Sequence, residues 1–335
     1  MVDKITPTDP RIQFKTANLN GVTYGYILAE PQEKAVDTIF LVHGWPDLAL
    51  GWRYQIPLLL SLNLRVVVPN MMGYSGTDAP DSPTYYTFKR AADDIAALAS
   101  HLSLSTIILG GHDWGGAVVF RVALHHPTLI TAIFTICSPF APPRSTYIPV
   151  STLPNFKYQI HLASGEVETI IIGEAKIREF LNGMYGGRTV SKKPMFSVTE
   201  GVHFENLEGI GPSPLLSKDE MDFYVKEYSR NGIHGPLNWY RTDKLNFEDE
   251  KSLAGFWEEG GKLEIPVLYV AGTKDIALPP SLGAKMGRFC SDLRKEEVEA
   301  GHWALWEKPE EVNKFVGEWL RDVVLKGKTG TKSVL

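Results

Sequence analysis

The sequence predicts an α/β protein, built as a doubly wound, mostly parallel β-sheet with an inserted helical cap. Two observations predict this class. Short apolar runs rich in β-branched residues alternate with helical segments in the first part of the chain. The alternation stops after residue 139, and strand-like runs return only after residue 247. We therefore expect one sheet whose strand order is interrupted by a separate helical unit.

The chain opens with a predicted β-hairpin. The segments IQFKTANL and VTYGYILA are joined by Asn20-Gly21, which favours a tight turn because both central residues need a positive φ. Four strands that are apolar on both faces are then expected at 38–43, 65–69, 106–111 and 130–137. Helices are expected between them, most clearly at 87–102 and 114–126.

The predicted cap is rich in Pro, Gly and aromatic residues and has no strand-like apolar run. The remaining elements are two cap helices, two further core strands and a final helix, expected at 166–182, 217–230, 265–272, 293–300 and 309–326. The predicted division is 1–139 and 248–335 for the core and 140–247 for the cap. The cap would cover the carboxyl ends of the strands, where open α/β sheets bind ligands.

Composition and charge are typical of an ordinary globular protein. The formal net charge is −5 and Lys and Arg form no run, so nucleic acid is not an expected partner. No apolar stretch approaches the roughly 18 residues of a membrane span, and the first ten residues lack an apolar signal segment. The final Ser-Val-Leu departs from the peroxisomal Ser-Lys-Leu. We expect a soluble, cytoplasmic protein.

A strand-to-helix turn provides the first candidate for chemistry. An apolar strand runs directly into Gly111-His112-Asp113-Trp114-Gly115, and a helix follows at once. Small residues two positions before and after Asp113 permit a sharp turn, the nucleophile elbow of the α/β-hydrolase fold. The helix N-terminus favours negative charge there. Asp113 is therefore the predicted nucleophile, with a simple N-cap as the alternative.

A second turn, His43-Gly44-Trp45-Pro46, directly follows the first predicted parallel strand. In an α/β-hydrolase this turn supplies one oxyanion-hole N–H, here that of Trp45, and the residue after the nucleophile, Trp114, supplies the other. We hypothesise that a cis peptide before Pro46 aims the Trp45 N–H inward. A plain turn that uses Gly and Pro is the alternative.

Two late segments complete a predicted triad. Asp275 comes just beyond the strand expected at 265–272, and His302 comes just beyond the last expected strand. The chain order nucleophile, acid, histidine is the order that this fold requires. We therefore predict that Asp113, Asp275 and His302 form the triad, while neither the two cysteines nor the nine histidines show a metal or disulfide spacing.

An aspartate nucleophile favours attack at saturated carbon. A serine would form an ether there, whereas a carboxylate forms an ester that activated water can cleave. His302 would take a proton from that water, and Asp275 would orient the imidazole. Esterase and lipase activity are therefore disfavoured, and the leaving group is either an epoxide oxygen or a halide.

The nature of the donors in the cap separates these two leaving groups. An opening epoxide is strongly basic and needs an acid such as a phenol, which stays protonated at neutral pH. A halide needs only weak donors such as indole N–H groups. Six tyrosines lie in the predicted cap, and composition alone does not choose among Tyr147, Tyr158, Tyr185, Tyr224, Tyr228 and Tyr240.

The motifs resemble those of the soluble epoxide hydrolases of plants, fungi and mammals over nearly the whole chain. The matching segments are HGWP at 43–46, GHDWGG at 111–116, FKYQ at 156–159, LNWYR at 237–241 and GHW at 301–303. The resemblance implies that Tyr158 and Tyr240 hydrogen-bond the epoxide oxygen and protonate it as the ring opens. It also implies that Trp114 and Trp303 contact substrate and that Trp306 lines or supports the site. It implies no cofactor and no metal, only an epoxide and water.

Two alternatives remain open at this point. Haloalkane dehalogenases share the fold and the aspartate elbow, and Trp45 and Trp114 offer two indole donors; many of them, however, have Asn after His-Gly, and they lack the LNWYR segment. A ligand receptor derived from the fold is disfavoured because the triad and both tyrosines are retained. We expect no counterpart of the mammalian enzymes' N-terminal phosphatase domain, so the resemblance implies only the hydrolase reaction. Substrate, selectivity and oligomeric state are not predicted.

Overall fold

The computed structural model describes residues 2–326. In this range the strands are β1 (Gln13–Leu19), β2 (Val22–Ala29), β3 (Asp37–Val42), β4 (Leu64–Pro69), β5 (Ile107–His112), β6 (Ile130–Ile136), β7 (Phe196–Ser197), β8 (Gly201–Val202), β9 (Leu263–Gly272) and β10 (Cys290–Val298). The helices are α1 (Gln55–Ser61), α2 (Phe88–His101), α3 (Trp114–His125), α4 (Tyr158–Ala163), α5 (Glu166–Ile170), α6 (Gly173–Met184), α7 (Lys218–Tyr228), α8 (His234–Asn238), α9 (Asp243–Glu250), α10 (Ala254–Glu258), α11 (Ala304–Glu307) and α12 (Pro309–Trp319).

None of the helices in residues 2–326 is long and apolar enough to cross a bilayer. The C-terminal Ser-Val-Leu, on which the prediction about peroxisomal targeting rests, lies outside the described residues.

A single large sheet forms the centre of the molecule. Its strand order is β1-β2-β4-β3-β5-β6-β9-β10. The first two strands form the predicted hairpin, with φ of 49° at Asn20 and 83° at Gly21, and β2 is also antiparallel to β4. The remaining pairs, from β4 through β3, β5, β6 and β9 to β10, are parallel. The predicted α/β fold class is confirmed.

The parallel strands are apolar because helices pack against the sheet. In β5 every residue is buried, and in β3 and β4 the apolar residues are buried as well. Helix α3 packs against β3, β5 and β6 and against α2, while α12 packs against β9, β10 and α1. Parallel orientation places the carboxyl ends of β3, β5, β9 and β10 at one edge of the sheet, where a ligand site is expected.

The helical unit is inserted between two neighbouring strands. Strands β6 and β9 pair directly, for example Ile133 with Val267, although α4 to α10 and the short β7-β8 hairpin lie between them in sequence. The division at 140–247 stays a prediction, and its second boundary falls within α9. The cap contacts the core closely at Gly73, where a Cβ would lie 2.8 Å from the carbonyl carbon of Gly235.

Two details of the cap differ from the sequence-based expectation. The helix predicted over 166–182 is divided into α5 and α6 because the chain breaks helical geometry at Ile171 to Gly173, where Gly173 has a φ of 78°. The cap, which was expected to be helical, also contains a short hairpin in which the two-residue strands β7 and β8 pair.

Candidate active site

Asp113 occupies a strained turn between β5 and α3. Its φ and ψ are 53° and −126°, a conformation that is rare for any residue other than glycine. The turn requires small neighbours: a Cβ on Gly111 would lie 2.5 Å from the Gly115 carbonyl oxygen, and one on Gly115 would lie 2.0 Å from that of Val42. The Asp113 side chain makes no capping hydrogen bond to α3. The geometry is that of the predicted elbow, and the N-cap alternative is not supported.

The turn after β3 holds one oxygen of the Asp113 carboxylate. The N–H of Trp45 donates to Oδ1 of Asp113 at 2.7 Å, and the peptide between Trp45 and Pro46 is cis, as hypothesised. A Cβ on Gly44 would lie 2.2 Å from the same oxygen, so only glycine fits there. In the described part of the chain, no hydrogen bond joins the Trp114 N–H to this carboxylate. One of the two predicted oxyanion donors is therefore in contact with it.

The other two triad residues meet Asp113 at the same edge of the sheet. Nδ1 of His302 lies 2.8 Å from Oδ2 of Asp275, and Nε2 lies 3.5 Å from Oδ2 of Asp113. The loop after β9 fixes Asp275, because the N–H groups of Ala277 and Leu278 both donate to its Oδ1 at 2.9 Å. The structure thus brings together the three residues that the sequence predicts to form the triad.

The triad is strongly coupled electrostatically. Burial opposes ionisation of Asp275, but the His302 imidazole and the two N–H donors outweigh it and lower the pKa of Asp275 to about 2. Burial also disfavours the charged imidazole, yet Asp275 and Asp113 together hold the pKa of His302 well above its usual range. His302 is therefore stabilised as an imidazolium while Asp113 is free and charged.

Two motif histidines have a structural position that the sequence did not reveal. His112 Nε2 lies 2.8 Å from the carbonyl oxygen of His302 and so holds the backbone of the triad histidine. His43 bridges the Gly44 carbonyl oxygen at 2.9 Å and the Met71 N–H at 3.0 Å. Burial lowers the pKa of both to about 4, so both rings are neutral at pH 7.

Tyr158 and Tyr240 stand over the carboxylate from the cap. Both are buried, their ring centroids are 6.0 Å apart, and both line the same cavity as Asp113. Tyr240 also stands edge-on to Trp45 at 5.2 Å. Burial raises the pKa of each phenol and the charge of Asp113 raises it further, so both stay protonated well above neutral pH.

The other four cap tyrosines already have acceptors. Their hydroxyls donate to Asp243 (from Tyr147, 2.6 Å), to the Pro46 carbonyl (from Tyr185), to the Asp47 carboxylate (from Tyr224, 2.7 Å) and to the Asp47 carbonyl (from Tyr228, 3.4 Å). Within residues 2–326, neither Tyr158 nor Tyr240 donates a hydrogen bond to another group. These two phenols are therefore available to a ligand.

The segment around Tyr240 explains how the phenol is held. The indole N–H of Trp239 donates to the Met72 carbonyl of the core at 3.1 Å. Arg241 binds the cap in turn, donating to Asn238 at 2.8 Å and to Glu168 at 3.0 Å. The flanking residues thus fix the short 3₁₀ turn that presents Tyr240 to the cavity.

Two cavities meet at the Asp113 carboxylate. One, of about 430 Å³, is lined by both phenols, by His302 and by Trp303. A second, of about 320 Å³, also reaches Asp113 and Tyr158 but is walled mainly by apolar groups, among them Phe88, Phe140, Phe156, Leu278 and Leu282. A ligand at Asp113 can therefore extend in two directions.

The three tryptophans predicted at the substrate site have different positions. Trp303 lines the larger cavity, and its indole N–H donates to the Met184 carbonyl at 3.1 Å. Trp114 borders the smaller one. Trp306 lies behind Trp303, stacked on it at 4.4 Å, with its N–H on the Gly51 carbonyl at 2.7 Å. Trp303 thus stands between Trp306 and the cavity, and the predicted contact of Trp306 with substrate is not supported. The position of Trp306 fits the other prediction, that this residue supports the site.

Asp47 is a buried acid to which the sequence analysis gave no role. It accepts hydrogen bonds from the Tyr224 hydroxyl and the Leu48 N–H, both at 2.7 Å, whereas its second oxygen has no partner in the described range. Burial raises its pKa to about 7. The only sequence signal was an acidic residue within an otherwise apolar segment after His-Gly-Trp-Pro.

Known proteins resemble this chain in family, in sequence and in fold. The family model of the α/β-hydrolase fold matches residues 37–181 and 196–309. An epoxide hydrolase of Neurospora crassa, srdG, is 43% identical over 95% of this chain and 98% of its own. The crystal structure of epoxide hydrolase A from Mycobacterium thermoresistibile covers 93% of this chain and 98% of its own, with a TM-score of 0.77 and 27% identity. Epoxide hydrolase VrEH1 of Vigna radiata has the same fold, with a TM-score of 0.79 and 24% identity over 94% of this chain and 99% of its own.

Proposed function

The chain belongs to the α/β-hydrolase fold family and, within it, to the epoxide hydrolases, and from this premise we propose that it converts epoxides to vicinal diols through a covalent ester on Asp113. The observation that supports the mechanism is that a nucleophile and two proton donors line the same cavity. A carboxylate held by the Trp45 N–H faces two phenols, Tyr158 and Tyr240, that donate to no other group in the described residues. A nucleophile and an acid on opposite sides of a ligand are what ring opening requires.

In the first half-reaction, a carboxylate oxygen of Asp113 bonds to an epoxide carbon while the carbon–oxygen bond of the ring breaks. A phenol gives its proton to the ring oxygen as that oxygen becomes an alkoxide. The products are a hydroxyalkyl ester on Asp113 and a tyrosinate. Negative charge has moved from the carboxylate to the phenol oxygen. Because both phenols are buried, the rate of this step depends strongly on how the carboxylate and the phenols are placed.

In the second half-reaction, His302 acts as the base. Formation of the ester removes the charge of Asp113, which is one of the two charges that hold the imidazolium proton. That proton returns through water to the tyrosinate left by ring opening. The neutral imidazole then takes a proton from a second water, and the resulting hydroxide attacks the ester carbonyl. The Trp45 N–H stabilises the oxyanion that forms on Asp113. Collapse breaks the ester bond, and the departing alkoxide takes the proton of the new carboxyl group to give the diol. His302 is left as the imidazolium beside the charged Asp113, as in the free protein.

Both alternatives are less well supported. A haloalkane dehalogenase needs indole or amide donors to a halide and does not need two phenols whose hydroxyls donate to no other group in the described residues. A receptor without catalysis would not need His302 poised between Asp275 and Asp113. The substrate and the selectivity depend on the shape of the two cavities, and a cytoplasmic location stays a prediction from the sequence.

Single-turnover hydrolysis in water enriched in heavy oxygen tests the proposal. With enzyme in excess over styrene oxide, we expect the first diol to carry no label, because its new oxygen comes from Asp113. The label should appear in the Asp113 carboxylate, detected by mass spectrometry of the peptide that contains it. Label in the diol after one turnover would mean direct hydration and would overturn the covalent mechanism.

A further inference from the structure

The indole N–H of Trp114 is a buried donor that makes no well-formed hydrogen bond within residues 2–326. Its ring lies between Phe88, at 5.5 Å, and Tyr240, at 5.4 Å and an interplanar angle of 64°. A buried donor without an acceptor costs free energy in the resting protein, so native proteins rarely keep one. A donor of this kind beside a proposed proton donor therefore requires an explanation.

The hydroxyl of Tyr240 is the polar group on which this indole acts. Burial raises the pKa of Tyr240, and the neighbouring Tyr158 and Asp113 raise it further, whereas the indole N–H of Trp114 lowers it. A donor lowers the pKa of a phenol by interacting better with the phenolate than with the neutral form. The indole is thus placed to meet the Tyr240 oxygen when that oxygen becomes charged.

We propose that the indole N–H of Trp114 stabilises the Tyr240 phenolate formed during ring opening, and that Trp114 is in this sense a positioning residue. The proposal rests on the proposed function. As Asp113 bonds to the epoxide carbon, Tyr240 gives its proton to the ring oxygen and is left with the negative charge. The indole N–H then faces a charged acceptor within the buried site.

This arrangement favours the transition state over bound substrate. The N–H makes no well-formed hydrogen bond before the reaction, so it contributes little to substrate binding. Its contact with the Tyr240 oxygen strengthens as charge develops on that oxygen, and interactions that are stronger in the transition state raise the rate of the chemical step. The role differs from that of the Trp114 backbone N–H, which belongs to the predicted oxyanion hole.

A double-mutant cycle tests the coupling between the two side chains. Rapid-quench mass spectrometry would follow the ester on Asp113 with styrene oxide in the wild type, in Trp114→Phe, in Tyr240→Phe and in the double variant. We expect Trp114→Phe to slow ester formation by about 10- to 100-fold when Tyr240 is present. In the Tyr240→Phe background it should have an effect of about twofold or less. Equal slowing in both backgrounds would assign Trp114 to packing or to direct substrate contact and would overturn the proposal.

Two further measurements separate the N–H from the shape of the ring. Phe88→Leu weakens the packing of Phe88 against Trp114 but keeps the indole N–H. Its effect on the rate of ester formation should therefore be the same with Tyr240 present and in the Tyr240→Phe variant. An ultraviolet difference titration should show that Trp114→Phe raises the pKa of the phenol that is lost in Tyr240→Phe; an unchanged value would contradict the proposal. If Trp114→Phe does not fold, site-specific 3-benzothienylalanine keeps the ring shape, lacks the N–H, and should give the same coupling.

Failure of this inference is distinguishable from failure of the proposed function. A wild-type protein that forms no diol and no Asp113 ester from styrene oxide or from a panel of aryl, terminal and fatty-acid epoxides would refute the function itself. A wild type that forms the ester, together with a cycle without coupling, would refute only the role of Trp114.

Discussion

The imidazole Nε2 of His302 lies 3.5 Å from Oδ2 of Asp113, beyond the usual range of an N–H···O hydrogen bond. The two groups attract each other through their charges, but the imidazole does not hold this oxygen in a short hydrogen bond. The opposite oxygen of the carboxylate is held by Trp45 at 2.7 Å. The Trp45 N–H thus orients the carboxylate through Oδ1, and Oδ2 stays able to attack substrate. The imidazole of His302 lies nearby, where it can act in the later hydrolysis step.

Replacing His302 by Gln should separate the two half-reactions. Ester formation does not need the imidazole as a base, whereas ester hydrolysis does, so hydrolysis should slow by about 10²- to 10⁴-fold. Intact mass spectrometry after incubation with styrene oxide should find the protein heavier by one epoxide, with the adduct on Asp113. An inactive variant that carries no adduct would refute this division of roles.

Loss of either phenol should slow ester formation. Tyr158→Phe and Tyr240→Phe remove a proton donor that faces the carboxylate, so each should reduce the alkylation rate by about 10²-fold, and the double variant should lose more. Tyr147→Phe is the matched control, because this phenol donates to Asp243 away from Asp113, and it should alkylate at the wild-type rate. Wild-type rates in the double variant, measured by rapid quench, would exclude both phenols from catalysis.

The pH dependence of ester hydrolysis should report the change in the His302 environment. In the free protein Asp275 and Asp113 raise the pKa of His302 against the effect of burial. The ester cancels the Asp113 charge, so the imidazole should lose its proton at a lower pH in the intermediate than in the free protein. Ester decay should therefore rise with pH to a plateau, with a midpoint below the His302 titration followed by NMR in the free protein. A decay rate that falls as pH rises from 6 to about 8 would contradict this assignment.

Asp47 should make the fold less stable as pH rises. Burial raises its pKa to about 7 from an ordinary value of 3.8, so the folded protein binds this proton more tightly than the unfolded chain does. The stabilisation is complete below pH 3.8 and is lost as pH rises through about 7. Asp47→Asn keeps an acceptor for Tyr224 and cannot ionise. The fall in unfolding free energy between pH 5 and 8, from urea melts, should be smaller in the variant by roughly 1 to 3 kcal/mol. An identical fall in both proteins would contradict burial as the cause.

The core and the proximity of the three predicted triad residues were predictable because their signals are local or topological. A strand that runs through Gly111 into Asp113 and Gly115 permits few structures other than an elbow, and the parallel sheet brings Asp275 and His302 to the same edge wherever they lie in the sequence. Chain order and strand periodicity therefore sufficed. The contact between the Trp45 N–H and Asp113 followed from the same turn geometry.

The cap was less predictable because its contacts are long-range and its sequence lacks periodicity. Ile171 and Ile172 continue an apolar helical pattern, and only the backbone conformation at Gly173 divides it. That four of the six cap tyrosines donate hydrogen bonds to other groups could not be predicted from the sequence, because the acceptors lie in distant segments such as Pro46 and Asp47. The position of Trp306 behind Trp303 likewise depends on stacking that residue order does not encode.

The insertion of the cap between β6 and β9 affects how the substrate preference of related proteins can change during evolution. Its two ends leave and re-enter the sheet at strands that are already hydrogen-bonded to each other, so a change in its length or sequence does not shift the register that places the nucleophile, acid and base. Two short segments of the insertion, those that carry Tyr158 and Tyr240, bring the proposed proton donors to the cavity at Asp113. New substrate preferences can accordingly arise by remodelling the cap while the bond-breaking apparatus is inherited unchanged.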